Sequence, residues 1–127
     1  MKIDATVIQI DRLTQILIAH IVMIEGDGNY SHVVTSNRRH TSSTTLHKFE
    51  CALPGFIRCH KHTLINPAHV VHINRPGKAL PASLTLTLST GALVVVSRRR
   101  ADETIQAVAD TRLYEQFFYD YPLVLLR

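Results

Sequence analysis

The chain has 127 residues, 46% of them hydrophobic, which suits one domain with a real core and is too little for two ordinary ones. No apolar run reaches the roughly 18 residues of a membrane span, and the start MKIDATVIQIDR carries acids where a signal peptide needs continuous apolar residues. A soluble, cytoplasmic protein with no membrane partner is therefore expected. The formal charge of +4 is unevenly placed, because ten cations stand against Glu50 from Arg38 to Arg100, or 10 − 1 = +9, with −2 before and −3 after. A localised basic surface attracts a polyanion and gains free energy by counterion release; the bland alternative is a solvated face.

Ala5 to Ile10 and Leu13 to Ile18 are β-branched-rich runs separated by Asp11 and Arg12, which predicts a hairpin with a tight turn. Ile21 to Glu25 is a third apolar run, ended by the turn cluster Gly26-Asp27-Gly28-Asn29. Tyr30 to Ser36 alternates as a strand, and Ser36 to Ser43 holds a turn at Asn37 and a short strand. Leu46, Phe49 and Leu53 share one face of a short helix over Thr45 to Leu53, capped by Thr44 or Thr45 and stopped by Pro54-Gly55. Strands follow at Phe56 to Cys59, Thr63 to Ile65 and Val70 to Ile73, with a break at Asn66-Pro67 and a loop at Arg75-Pro76-Gly77-Lys78. Ser83 to Leu88 alternates with period 2, Thr90-Gly91 turns, and Leu93 to Val96 returns as the clearest hairpin of the chain. Asp102 to Phe118 then carries Ile105, Val108, Ala109, Leu113 and Phe117 at steps of three and four, an amphipathic helix. The apolar tail from Phe117 to Leu126 either packs back on the domain or forms a homodimer contact.

Eight histidines raise a metal hypothesis, centred on Cys59-His60-Lys61-His62. HxH on a strand places two imidazoles on one face, but no CxxC or HxxxH supplies the partner ligands a zinc site needs, and Lys61 would put a cation beside the metal. No metal and no cofactor is expected. Cys51 and Cys59 lack CxxC spacing and read as thiols in a reducing compartment, a disulfide between them being the alternative. No enzyme is expected either: Glu50 is the lone acid of the basic region, and no nucleophile elbow, P-loop or HExxH occurs.

Three polar clusters sit where strands end, namely Asn29-Tyr30-Ser31-His32, Arg58-Cys59-His60-Lys61-His62 and Ser97-Arg98-Arg99-Arg100. Arg and Lys suit guanine edges or phosphates, Asn suits adenine, and Ser, Tyr and His bond phosphate oxygens. For Tyr30 core packing is an equal alternative, and Ser31 and His32 point to opposite faces of a strand, so at most one of them faces a groove.

At these residues the sequence resembles the LytTR DNA-binding domain of bacterial response regulators. The matching segments are Ile21 to Tyr30, the helix Leu46 to Leu53 with Pro54, Phe56 to Asn66, and Val95 to Arg99, in an order and spacing that cover roughly Ile3 to Arg100. The resemblance implies a mainly β fold, an elongated stack of antiparallel β-sheets with one short helix, to which this chain adds its C-terminal amphipathic helix. Residues 1–100 would form the DNA-binding domain and 101–127 a helix and tail for packing or dimerisation. It further implies a sequence-specific transcriptional regulator whose loops read successive major grooves of double-stranded DNA. Carried over by position, Ser31, Lys61 and Arg98 would read bases; Asn29, Tyr30, His60 and His62 would contact phosphate or shape the loops; Arg99 and Arg100 would add phosphate contacts. His62 departs from the family pattern, which usually has Ser there. Such domains usually follow a receiver domain, and the few residues before Ile3 hold none, so a free-standing regulator or a separate regulatory protein is expected. The alternative is a metal-binding or protein-interaction module using His60, His62 and the apolar tail.

Overall fold

Short β-branched runs punctuated by turn residues give strands, and the computed structural model describes residues 6–75 and 83–119, with the side chains of the last helix as far as Thr111. Strands β1 (Val7–Gln9) and β2 (Gln15–Leu17) form an antiparallel hairpin. Its turn is longer than the expected tight turn at Asp11 and Arg12. The Asp11 carboxylate accepts the Leu13 and Thr14 amides at 2.8 and 2.9 Å, wrapping the chain round its own side chain, and Ile10 N–H donates to Thr14 O at 3.0 Å. These bonds, the Leu13 amide foremost, favour the charged carboxylate and hold the Asp11 pKa below its ordinary value.

A five-stranded antiparallel sheet in the order β5-β4-β3-β7-β6 is built from β3 (Ile21–Asp27), β4 (Tyr30–Thr35), β5 (Arg39–Ser42), β6 (Ile57–His60) and β7 (Thr63–Ile65). Both of its faces are covered, which is why Ile21-Val22-Met23-Ile24 is a continuous buried run rather than an alternating one. Ile21 and Ile24 enter one core and Val22 and Met23 the other; a register shift between Ile21 and Met23 lets two consecutive residues face the same side.

On one face lie the β1–β2 hairpin and helix α1 (Leu46–Ala52), whose Ile8, Ile16 and Phe49 pack with Ile24, Val33 and Leu64. Thr45, not Thr44, caps α1 by accepting the Lys48 amide at 3.3 Å. On the other face lies a second antiparallel sheet, β10-β9-β8, made of β8 (Val70–Asn74), β9 (Thr85–Leu88) and β10 (Leu93–Val95). Leu86, Leu88, Val94 and Val96 pack there with Val22, Met23 and Ile65. His69 ties the layers, with Nδ1 2.7 Å from Ser89 Oγ and Nε2 2.7 Å from Ala19 O.

Helix α2 (Ala101–Tyr119) begins directly after a 3-10 turn at Arg98–Arg100 and packs Ala101, Ile105 and Val108 into the second core. Thr104 is also buried on that face, so its stripe is less apolar than the sequence spacing implies. Leu113, Phe117 and the apolar tail lie outside the described side chains, as does most of the Arg75 to Lys78 loop. The architecture is the expected one: mainly β, with stacked antiparallel sheets, a short helix and a C-terminal helix. Both cysteines are free thiols, Cys51 exposed and Cys59 buried. Among the described residues no helix is long and apolar enough to cross a membrane.

Candidate nucleic-acid interface

Strand direction brings the three polar clusters to one end of the five-stranded sheet. Strands β3 and β4 meet there in the two-residue turn Gly28-Asn29, where Asp27 pairs with Tyr30 and Gly28 takes a φ of 63°, a left-handed conformation that favours glycine. The pair β6 and β7 meets at the same end in the turn Lys61-His62, with His60 opposite Thr63. The two turns are joined, because Gly26 N–H donates to His62 O at 2.8 Å. The third cluster docks on the outer edge of β6, where Ser97 N–H donates to Cys59 O at 2.9 Å and leads into the 3-10 turn Arg98–Arg100.

Charges at this end divide into two sets. Arg58 points inward, its side chain 19% exposed. Nη1 lies 2.8 Å from Glu50 Oε1 of α1, Nε donates to His60 O at 3.1 Å, and Nη2 donates to Lys61 O. Arg100 is likewise engaged, with Nη1 donating to Arg58 O at 3.0 Å and lying 3.7 Å from Glu103. Lys61, Arg98 and Arg99 are exposed, and no carboxylate among the described residues lies within ion-pair distance of them. The acids nearby already have partners: Glu25 faces Arg39 at 3.2 Å and Asp27 faces His32 at 3.3 Å. Exposed Asp102 has no ion pair among the described residues, and Asp27 faces an imidazole rather than a guanidinium, yet with Lys61, Arg98 and Arg99 free the balance at this end stays positive, which is the electrostatic requirement for a polyanion.

Two of the expected contact residues have side chains engaged within the protein itself. Ser31 is fully buried, because it shares the parity of Val33 and Thr35, which point toward α1; its hydroxyl donates to Thr44 O at 2.7 Å. It fastens the approach to α1. Arg100, expected to bond phosphate, has its guanidinium directed onto the Arg58 carbonyl. Of the first cluster, Asn29 and Tyr30 are exposed, Tyr30 at 56%, and His32 stands half-buried on the face opposite Ser31, within 3.1 Å of Thr41 Oγ1. His60 is half-buried and His62 exposed, their rings tilted at 5.9 Å and the His62 amide 3.3 Å from His60 Nδ1. Among the described residues no three His, Cys, Asp or Glu side chains gather as metal ligands, and the metal-binding alternative is not favoured.

Arg58 and Gly26 are the residues whose importance the sequence did not disclose. A Cβ on Gly26 would come within 3.1 Å of Leu46 Cδ2, so glycine lets α1 close against the sheet beside the two turns. The sequence signal for Arg58 was a lone acid, Glu50, in an otherwise basic region: a single carboxylate among ten cations has to be partnered by one of them.

A family model described as the LytTr DNA-binding domain matches residues 11–108. Among solved structures, the chain is similar in fold to a LytTr DNA-binding domain from Bacillus cereus, with a TM-score of 0.68 and 21% identity over 83% of this chain and 98% of that one. No curated protein matches the chain.

Proposed function

This chain belongs to the LytTr DNA-binding domain family, and from that premise we propose that it is a sequence-specific transcriptional regulator acting on double-stranded DNA in the cytoplasm. The observation that carries the reading is the convergence of Lys61, Arg98 and Arg99, exposed and without carboxylate partners among the described residues, at one end of a rigid two-faced sheet. Lys61 on the β6–β7 turn and Arg98 on the turn before α2 read base edges in major grooves. Asn29, Tyr30, His60, His62 and Arg99 contact phosphate or hold the loops against it. Ser31 and Arg100 support the loops from within. The apolar tail supplies a homodimer contact on DNA.

Selection of bound duplexes from a random pool, followed by gel shift over a salt series, tests the reading and returns the site. The expected result is one enriched motif whose affinity falls steeply with salt. On that motif Arg98→Ala costs about 1–3 kcal/mol and relaxes preference at one base pair. Equal losses on selected and random DNA would remove the base-reading role, and no enrichment at all would remove the function. Light scattering of a chain ending at residue 113 tests the tail, with a fall to monomer mass expected.

A further inference from the structure

The opposite end of the five-stranded sheet holds a second concentration of basic side chains. Strand β2, the 3-10 turn Ile18–His20 and the β4–β5 turn of residues 36–38 enclose an open cleft of about 490 Å³, inside the roughly 300–1,000 Å³ typical of small-molecule pockets. Its lining includes Arg38, His20 and His40 and contains no Asp or Glu. No described residue forms a hydrogen bond or ion pair with any of these three side chains. Asp11 lies outside the lining, and its carboxylate already accepts the Leu13 and Thr14 amides. Leu17, 45% exposed, gives the wall an apolar patch, while the neighbouring Ile16 side chain is buried in the core.

Unengaged basic groups facing an apolar wall across a concavity are what an anionic headgroup on an apolar body requires. We propose that the cleft between β2 and the β4–β5 turn binds a small organic anion, a carboxylate or phosphate monoester carrying an apolar group. The headgroup lies against Arg38 with His20 and His40 around it, and the apolar part lies on the exposed Leu17 side chain. The six residues of β4 separate the cleft from the Gly28-Asn29 turn by roughly 15–20 Å at about 3.3 Å per residue. A ligand there leaves the DNA-facing turns open, so the protein can take a chemical signal and bind DNA together.

Titration of the full chain with phenyl phosphate, benzoate and the neutral control benzyl alcohol, followed by amide NMR, tests this. Saturable shifts confined to residues 14–20 and 35–40 are expected for at least one of the two anions and not for benzyl alcohol; the better anion identifies the headgroup. Arg38→Ala and Arg38→Gln are expected to weaken binding at least tenfold while leaving affinity for the selected duplex within twofold. The proposal is overturned if neither anion gives saturable shifts, or if the shifts centre on residues 28–32, 60–62 and 97–99, which would mark the anion as a stand-in for DNA phosphate. It is equally overturned if Arg38→Ala lowers duplex affinity and flattens its salt slope, which would assign the cleft to DNA. The DNA-binding reading stands or falls separately, on the selection experiment.

Discussion

The β3–β4 and β6–β7 turns are both two-residue hairpin connections at the same end of one sheet, yet they are held in different ways. The first owes its shape to the backbone: Gly28 adopts φ 63°, and the side-chain tie across it joins half-buried His32 to the exposed Asp27 carboxylate. The second is tied by a side chain of its own strand β6 that is anchored from outside the hairpin. Arg58 bonds the carbonyls of His60 and Lys61, Glu50 of α1 anchors Arg58, and Gly26 holds the His62 carbonyl. Ordering a side chain or loop at the moment of binding subtracts from affinity, so an anchored turn presents Lys61 with little left to order. On the proposed function, the β6–β7 turn would therefore be the better platform for reading a base, and the β3–β4 turn for adaptable phosphate contacts.

Arg58→Ala should erase that difference most completely. It removes charge-assisted bonds worth about 1.5–3 kcal/mol and leaves Glu50 uncompensated near the DNA. Urea melts should show the stability loss, and gel shifts should show weaker binding on selected and random duplexes alike. Arg58→Lys should recover little, since an ammonium cannot span the same acceptors. Next in size, Gly28→Ala strains a left-handed position and should cost roughly 1–2 kcal/mol, with NMR shifts confined to the β3–β4 turn and Lys61 undisturbed. Smaller again, Ser31→Ala removes one hydrogen bond to Thr44 O, about 0.5–1.5 kcal/mol. It should lower stability without altering the selected motif; a changed base at one position would restore Ser31 as a reader and make the first turn the equal of the second.

How much of this could be read in the sequence follows from the range of each interaction. Period-2 alternation exposed β9 and β10, and Leu46, Phe49 and Leu53 exposed α1, because local pattern and burial coincide there. The three clusters were visible as polar ends of strands, and their convergence follows once strand order is known. The fates of neighbouring residues were not visible. Arg98, Arg99 and Arg100 are identical letters, yet the third turns inward because its reach coincides with the Arg58 carbonyl, a partner 42 residues away. Position in the family pattern points to Ser31 rather than His32, whereas the burial of Val33 and Thr35 on the same parity turns its hydroxyl inward, onto Thr44 O. Asp11 lengthened a turn through its own side chain, which a count of residues between strands does not register.

Cys59 gives the finest probe of the anchored turn, because it lies in β6 and its carbonyl holds Ser97 N–H. Burial pushes its thiol pKa up to about 12 from 9.0, against the weaker opposing pull of Arg100 and Arg58. A raised folded-state value means that the unfolded chain ionises first. The thiol's contribution to stability is thus complete below about pH 9 and is lost as pH rises from about 9 toward 12, by up to about 1.4 kcal/mol per pH unit. Near neutrality the cysteine is silent in stability and in chemistry, since the thiolate is the reactive form. At pH 8 iodoacetamide should alkylate exposed Cys51 and leave Cys59 intact in the native protein, as read by peptide mass. In Arg58→Ala the β6–β7 turn loses its anchor, and Cys59 should label at a rate above that set by global unfolding. Labelling of Cys59 at the wild-type rate in that variant would mean that the Gly26–His62 and Ser97–Cys59 backbone bonds alone hold the turn, and the contrast with the β3–β4 turn would then rest on main-chain pairing rather than on the guanidinium.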